Sequence, residues 1–283
     1  MRLSPSLGVA AVVAGLLSVG AALLAMPDAS LLWAVVTLAA LCGHALTASG
    51  TPRVRWAVAV GAGLFALVAA ANLFWHRERV ADGGEPPGSQ AATRTYLVES
   101  LREGLDRQRL TTWGLALGVL LLSVAVPALP ARGGRRGVVT TVLAVAVLVW
   151  CGLSVAATPG DPPLPELLLA LQPALLAALV TAGVLAWSGW RGDRRGLLPA
   201  GMVLLSLVAV RSCADLASTW ASWRTFVEPA RDAFLQPGIM VSVGASPGSA
   251  LEVSSAVATA VALGGAGLAV VGALRASREN ARP

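Results

Sequence analysis

Apolar residues run in long blocks along this chain, and the polar residues gather between the blocks. The breaks isolate eight apolar segments: 7–26, 31–49, 56–75, 112–130, 137–156, 166–187, 197–216 and 251–273. Each has about the 20 residues that carry an α-helix across ~30 Å of hydrocarbon at 1.5 Å per residue. Backbone N–H and C=O groups in lipid find no water, so each segment must satisfy its own, which predicts helices. The expected fold class is all-α: a polytopic integral membrane helix bundle with eight transmembrane helices. The chain from 1 to 283 reads as a single transmembrane domain. The opening Met1-Arg2-Leu3 and its apolar run have the look of a signal peptide. The run exceeds the usual 7–15 residues, so a retained helix is expected.

Composition narrows the class. Only 13% of residues are charged, 56% are hydrophobic and the mean hydropathy is +0.72. Soluble domains carry roughly 25% charged residues, so a water-soluble globule is excluded. All 21 basic residues are arginine. Without lysine there is no Schiff-base chemistry and no phosphate-binding loop of the G-x-x-x-x-G-K type. The basic balance reflects arginines in short turns, which set membrane orientation, and no nucleic-acid partner is expected.

With the N-terminus inside, the inner side holds 12 arginines against Asp193 and Glu279, and the outer side holds eight arginines and 12 acids. That asymmetry predicts both termini inside, in a multi-pass protein of the cell membrane. Tryptophans agree. Trp33, Trp75, Trp113, Trp220 and Trp223 fall near the expected outer boundary, and Trp56, Trp187 and Trp190 near the inner one, as an interfacial aromatic belt requires.

The inner connections 50–55, 131–136 and 188–196 are little more than turns, whereas the outer loops 76–111 and 217–250 are long. In the first, Leu97, Leu101 and Leu105 recur at i, i+4, i+8, and Glu103 stands four residues before Arg107. This predicts an amphipathic helix over 92–110. In the second, Pro229 opens an expected short helix over 229–235, and Ser249-x-x-Glu252 forms a capping box ahead of the last span. Both long loops follow the third span of a group of four. The halves 1–130 and 137–283 therefore share a pattern that a parallel 4+4 pseudo-repeat would produce.

Arg211 and Asp215 are the only formal charges well inside a span. They stand at i, i+4 and share a helix face. Intramembrane charges cost on the order of 2.5–3.5 kcal/mol each at a helix centre, which marks this pair as a candidate site or a self-neutralising packing pair. Asn72, Ser154 and Gln172 lie at similar depth. If their helices adjoin, all five residues line one outward-opening polar pocket. Pro173, after Gln172, frees a backbone carbonyl.

Cys42, Cys151 and Cys213 lie in apolar runs with no Cys-x-x-Cys spacing and read as small apolar side chains. His44 and His76 fall on opposite sides of the membrane and cannot share a metal. No H-E-x-x-H is present, and Gly244-Ala245-Ser246-Pro247-Gly248 lacks the strand–turn–helix context of a nucleophile elbow. No cofactor, metal or catalytic residue is expected, and the chain does not read as an enzyme. The expected function is a non-catalytic component of a membrane complex, in contact with lipid and with another membrane or extracytoplasmic protein through its outer loops. The alternative is a small-molecule or ion permease using the polar cluster around Arg211 and Asp215.

Overall fold

The computed structural model of the chain describes residues 4–81, 90–128, 134–158, 164–191, 196–227 and 248–279. Among them are eight α-helices and no strand: α1 (Ser4–Leu23), α2 (Pro27–Thr47), α3 (Pro52–Ala81), α4 (Gln90–Ser123), α5 (Arg135–Ala156), α6 (Leu164–Trp190), α7 (Leu197–Val227) and α8 (Gly248–Glu279). Seven are long and apolar enough to cross a bilayer, α4 being the exception. This is the make-up of a multi-pass membrane protein.

Several helices overrun the expected spans. α3 continues to Ala81 and α7 to Val227, past the expected ends at 75 and 216. The expected amphipathic helix over 92–110 and the following span are one continuous helix, α4, which stops at Ser123 ahead of a 3-10 turn at Val126–Ala128. No proline interrupts residues 90–123, and Pro127 then ends the run. A helix has no reason to stop at the membrane surface, because water can solvate its charged face. The charged half of α4 is also what takes it out of the apolar class. Leu105 is buried, Leu101 half-buried, and Arg102, Glu103 and Asp106 exposed, as the stripe predicts. The Glu103–Arg107 pair is present at 3.2 Å. The side chain of Leu97, the expected helix over 229–235 and the Ser249–Glu252 side chains lie outside the described residues.

The joint between α1 and α2 shows how the local sequence turns the chain. Ala25 takes a left-handed conformation at φ 55°. The Met26 N–H donates to the Ala21 carbonyl at 2.9 Å and the Ala25 N–H to that of Ala22 at 3.2 Å. This Schellman closure satisfies two terminal carbonyls, and Pro27 then starts α2.

Helices that follow one another pack together from α1 to α4 and from α5 to α8, and α5 also reaches α7. The two groups are tied by exchange: α4 lies against α6 and α7, while α8 lies against α1, α2 and α3. α6 is the innermost, with 56% of its span buried, and α5 is peripheral, with 17%. Small residues allow the closeness. At four-residue spacing, Ala14, Ser18 and Ala22 of α1 and Ala174, Ala178 and Ala182 of α6 are buried, whereas Ala10, one turn before the first set, is exposed and Ala186, one turn after the second, is half-buried. Between α7 and α8 the backbones themselves meet: a Cβ on Gly201 would stand 2.5 Å from the Ala269 nitrogen, and one on Gly272 2.5 Å from the Leu198 nitrogen.

Polar contacts tie each end of the bundle. At the arginine-rich end the Thr51 N–H donates to the Ser277 hydroxyl at 2.9 Å, and Arg278 donates to the Ser49 carbonyl at 3.0 Å. The Trp190 indole reaches Thr141 Oγ1 at 3.2 Å. At the opposite end the Ser18 hydroxyl donates to the Ser30 carbonyl at 2.7 Å.

Candidate functional site

Arg211 and Asp215 form the expected pair, with Nε and Oδ2 3.5 Å apart on one face of α7. The face is not the one turned to the bundle. Their side chains are 52% and 54% exposed, while Cys213, between them in sequence, is fully buried. Leu207, Ala214, Ser218 and Ser222 continue the exposed stripe along α7. The Ser218 hydroxyl donates to the Asp215 carbonyl at 2.9 Å, and that of Ser222 to the Ser218 carbonyl at 2.9 Å. Such i−3 and i−4 bonds hide the hydroxyl protons and leave a narrow, small-residue surface flanked by one charge pair.

The other three candidates lie elsewhere. Asn72 is half-buried on α3. The Ser154 hydroxyl, on α5, is turned into its own helix and donates to the Trp150 carbonyl at 3.0 Å. Gln172 of α6 is exposed and lines a cavity of about 590 Å³. Of the five residues expected around one pocket, this cavity takes Gln172 alone.

Its wall comes from three helices: Arg109 and Trp113 of α4, Trp220, Trp223 and Arg224 of α7, and the first turns of α6 from Glu166 to Pro173. Pro173 has no N–H to offer the Leu169 carbonyl one turn earlier. Arg109 meets the next carbonyl along, its Nε donating to that of Ala170 at 3.3 Å, and its guanidinium also lies 3.6 Å from Asp106. Arg224 lies across the Trp220 ring at 5.4 Å from the centroid, with its Nη1 3.9 Å from Glu166. The Arg224 side chain is 19% exposed and Glu166 63%, so the cation is enclosed and the acid stands at the rim. Two guanidiniums and one carboxylate therefore line the cavity, with three indoles around them.

The chain matches no family model, no curated protein and no solved structure.

Sequence reasoning assigned Arg109 and Arg224 only to the charge balance of the outer loops. The available signal was positional: both lie within a helical turn or two of a tryptophan, as interfacial arginines do. A second juxtaposition was beyond sequence. Cys151 of α5 and Cys213 of α7 are buried with their thiols within hydrogen-bonding reach. Each stands 16 residues along its helix, from Arg135 and Leu197 respectively, or ~24 Å at 1.5 Å per residue. Among the described residues no three His, Cys, Asp or Glu side chains converge as metal ligands would.

Proposed function

We propose that this chain is a non-catalytic component of a membrane complex of the cell membrane. In this reading it spans the bilayer eight times, with α4 as the eighth span and both termini inside. The observation that carries the proposal is the direction of the α7 stripe. A transport site needs its charges inside the bundle or along a water-filled passage. Arg211 and Asp215 instead face away from the bundle, beside Ala214, Ser218 and Ser222 at the four-residue spacing that lets another helix approach closely. The occupant of this face is a transmembrane helix of a different polypeptide, carrying small residues and a polar group level with the pair. Contact there takes the charges out of lipid and adds to what the outer ends of α3, α4 and α7 offer. The permease alternative keeps the cavity as its support, but Arg211 and Asp215 do not line it.

The halves also support a duplicated architecture. Pro27-Asp28 opens α2 and Pro165-Glu166 stands at the start of α6. Near the outer ends of α3 and α7 stand Trp75-His76 and Trp223-Arg224, and the acids lie 3.8 Å from His76 and 3.9 Å from Arg224.

A photo-crosslinking residue at Ser218, with one at the exposed Val145 of α5 as control, tests the complex. The expected result is a product at 218 alone that contains a second, different membrane polypeptide. A product made only of this chain would replace the hetero-complex with a homo-oligomer, and equal products at 218 and 145 would remove the case for a docking face.

A further inference from the structure

The α7 stripe leaves the cavity at the other side of the same helix without a role. We infer that this cavity is a binding site for a phosphate ester, held as an anion between Arg109 and Arg224. Guanidinium groups match phosphate oxygens in geometry as well as charge, and arginine is the residue favoured for planar, two-pronged recognition. Both arginines reach the cavity from different helices, so a single anion joins α4 to α7 across the opening turns of α6. The lining itself carries two cations against one acid, and Asp106, 3.6 Å from Arg109, stands outside it with its side chain 64% exposed. Trp113, 37% exposed, and Leu169, 71% exposed, offer apolar surface at the mouth for the hydrocarbon part of the ligand. Two sources share this chemistry: the headgroup of an anionic phospholipid lying in the leaflet, and a soluble phosphate monoester.

The rim acid gives the proposal a signature. Glu166 approaches Arg224 only to 3.9 Å and remains largely exposed. A pair this long, with its acid standing in solvent at the rim, is weak, so an entering phosphate displaces it readily. Glu166 is therefore a competitor for the same guanidinium, and removing its charge must strengthen binding. A purely structural ion pair makes no such demand.

The test uses the purified full chain and follows intrinsic tryptophan emission, which the cavity indoles report, together with retention of lipid by native mass spectrometry. Three probes are titrated separately: phosphatidylglycerol, phosphatidylcholine and glycerol 3-phosphate. Saturable binding of phosphatidylglycerol at least tenfold tighter than phosphatidylcholine supports the site with a lipid as its source. Saturable binding of glycerol 3-phosphate with weak lipid discrimination supports it with a soluble source. In either case Arg109→Gln and Arg224→Gln should weaken binding at least tenfold, and Glu166→Gln should tighten it. Arg109→Gln carries the test if the more enclosed Arg224 variant does not fold. Binding of none of the probes, equal binding in wild type and Arg109→Gln, or unchanged or weaker binding in Glu166→Gln would overturn the inference.

Discussion

Replacing Gly201 with alanine probes one of the two places where the backbones of α7 and α8 meet. The new Cβ would sit 2.5 Å from the Ala269 nitrogen and 2.7 Å from the Gly265 carbonyl oxygen, where ordinary contact begins at 3.4 Å. Both opposing atoms are backbone, so no side chain can swing aside, and α7 and α8 must part by roughly 1 Å. Overpacking of this kind costs about 1–3 kcal/mol. The same substitution also raises helix propensity, by up to about 1 kcal/mol, which blurs the single measurement. Gly267 removes that ambiguity. It lies inside α8 with nothing within 4 Å of its added Cβ, so Gly267→Ala carries the propensity gain and no clash. The difference between the two variants therefore isolates the steric cost at about 1–3 kcal/mol. Equilibrium unfolding in mixed detergent, followed by helical circular dichroism, measures it. Equal stabilities would refute the backbone contact between α7 and α8, and with it the packing of the second half of the bundle.

Three further outcomes are expected. Arg211→Leu and Asp215→Leu should each lower the yield of folded protein, since each leaves a charge without its 3.5 Å partner, and the double replacement should largely restore it, as read by size-exclusion profiles; normal yields in both single variants would show that the pair contributes nothing. In a chain lacking native cysteines, single cysteines at 90 and 240 should react with an impermeant maleimide on intact cells and those at 133 and 193 should not, with the reverse pattern inverting the orientation. Cys151 and Cys213 should form an intramolecular disulfide on treatment with molecular iodine, which removes two electrons and two protons, detected by mass and reversed by reductant; failure to cross-link in unfolding-free conditions would separate α5 from α7 at that height.

What the sequence made legible was whatever depends on neighbours along the chain. Segment positions follow from apolar length alone, and Arg211 with Asp215 is an i, i+4 relation that any helix enforces. The buried stripe of Ala174, Ala178 and Ala182 is local in the same sense. Helix ends beyond the apolar blocks were not legible, because a change from apolar to polar residues marks contact with water without ending a helix. That is why α3, α4 and α7 run on. The cavity depends on which helix adjoins which, and no periodicity within α4 announces that Arg109 meets the Ala170 carbonyl of α6. The same holds for Cys151 and Cys213, whose equal heights were readable but whose adjacency was not. Direction around the helix was the other missing term: Arg211 and Asp215 share a face, and only packing against α5, α6 and α8 shows that the face is turned outward.

The exchange of fourth helices between the two halves has a consequence for biogenesis. Synthesis proceeds from the N-terminus, so α4 is made before α6 and α7, the helices it rests on, exist. It is also the helix that falls short of the apolar class, and its first half carries most of its charge. Until the second half arrives, α4 has only α3 for company, and Arg109 has no Ala170 carbonyl to meet. The newborn first half is thus a holding state rather than a finished unit, and completion of the chain closes it twice: α6 and α7 receive α4, and α8 then returns to cover α2 and α3. A ribosome stalled before α6 would release an intermediate with its least lipid-compatible helix unsupported, the natural handle for membrane quality control.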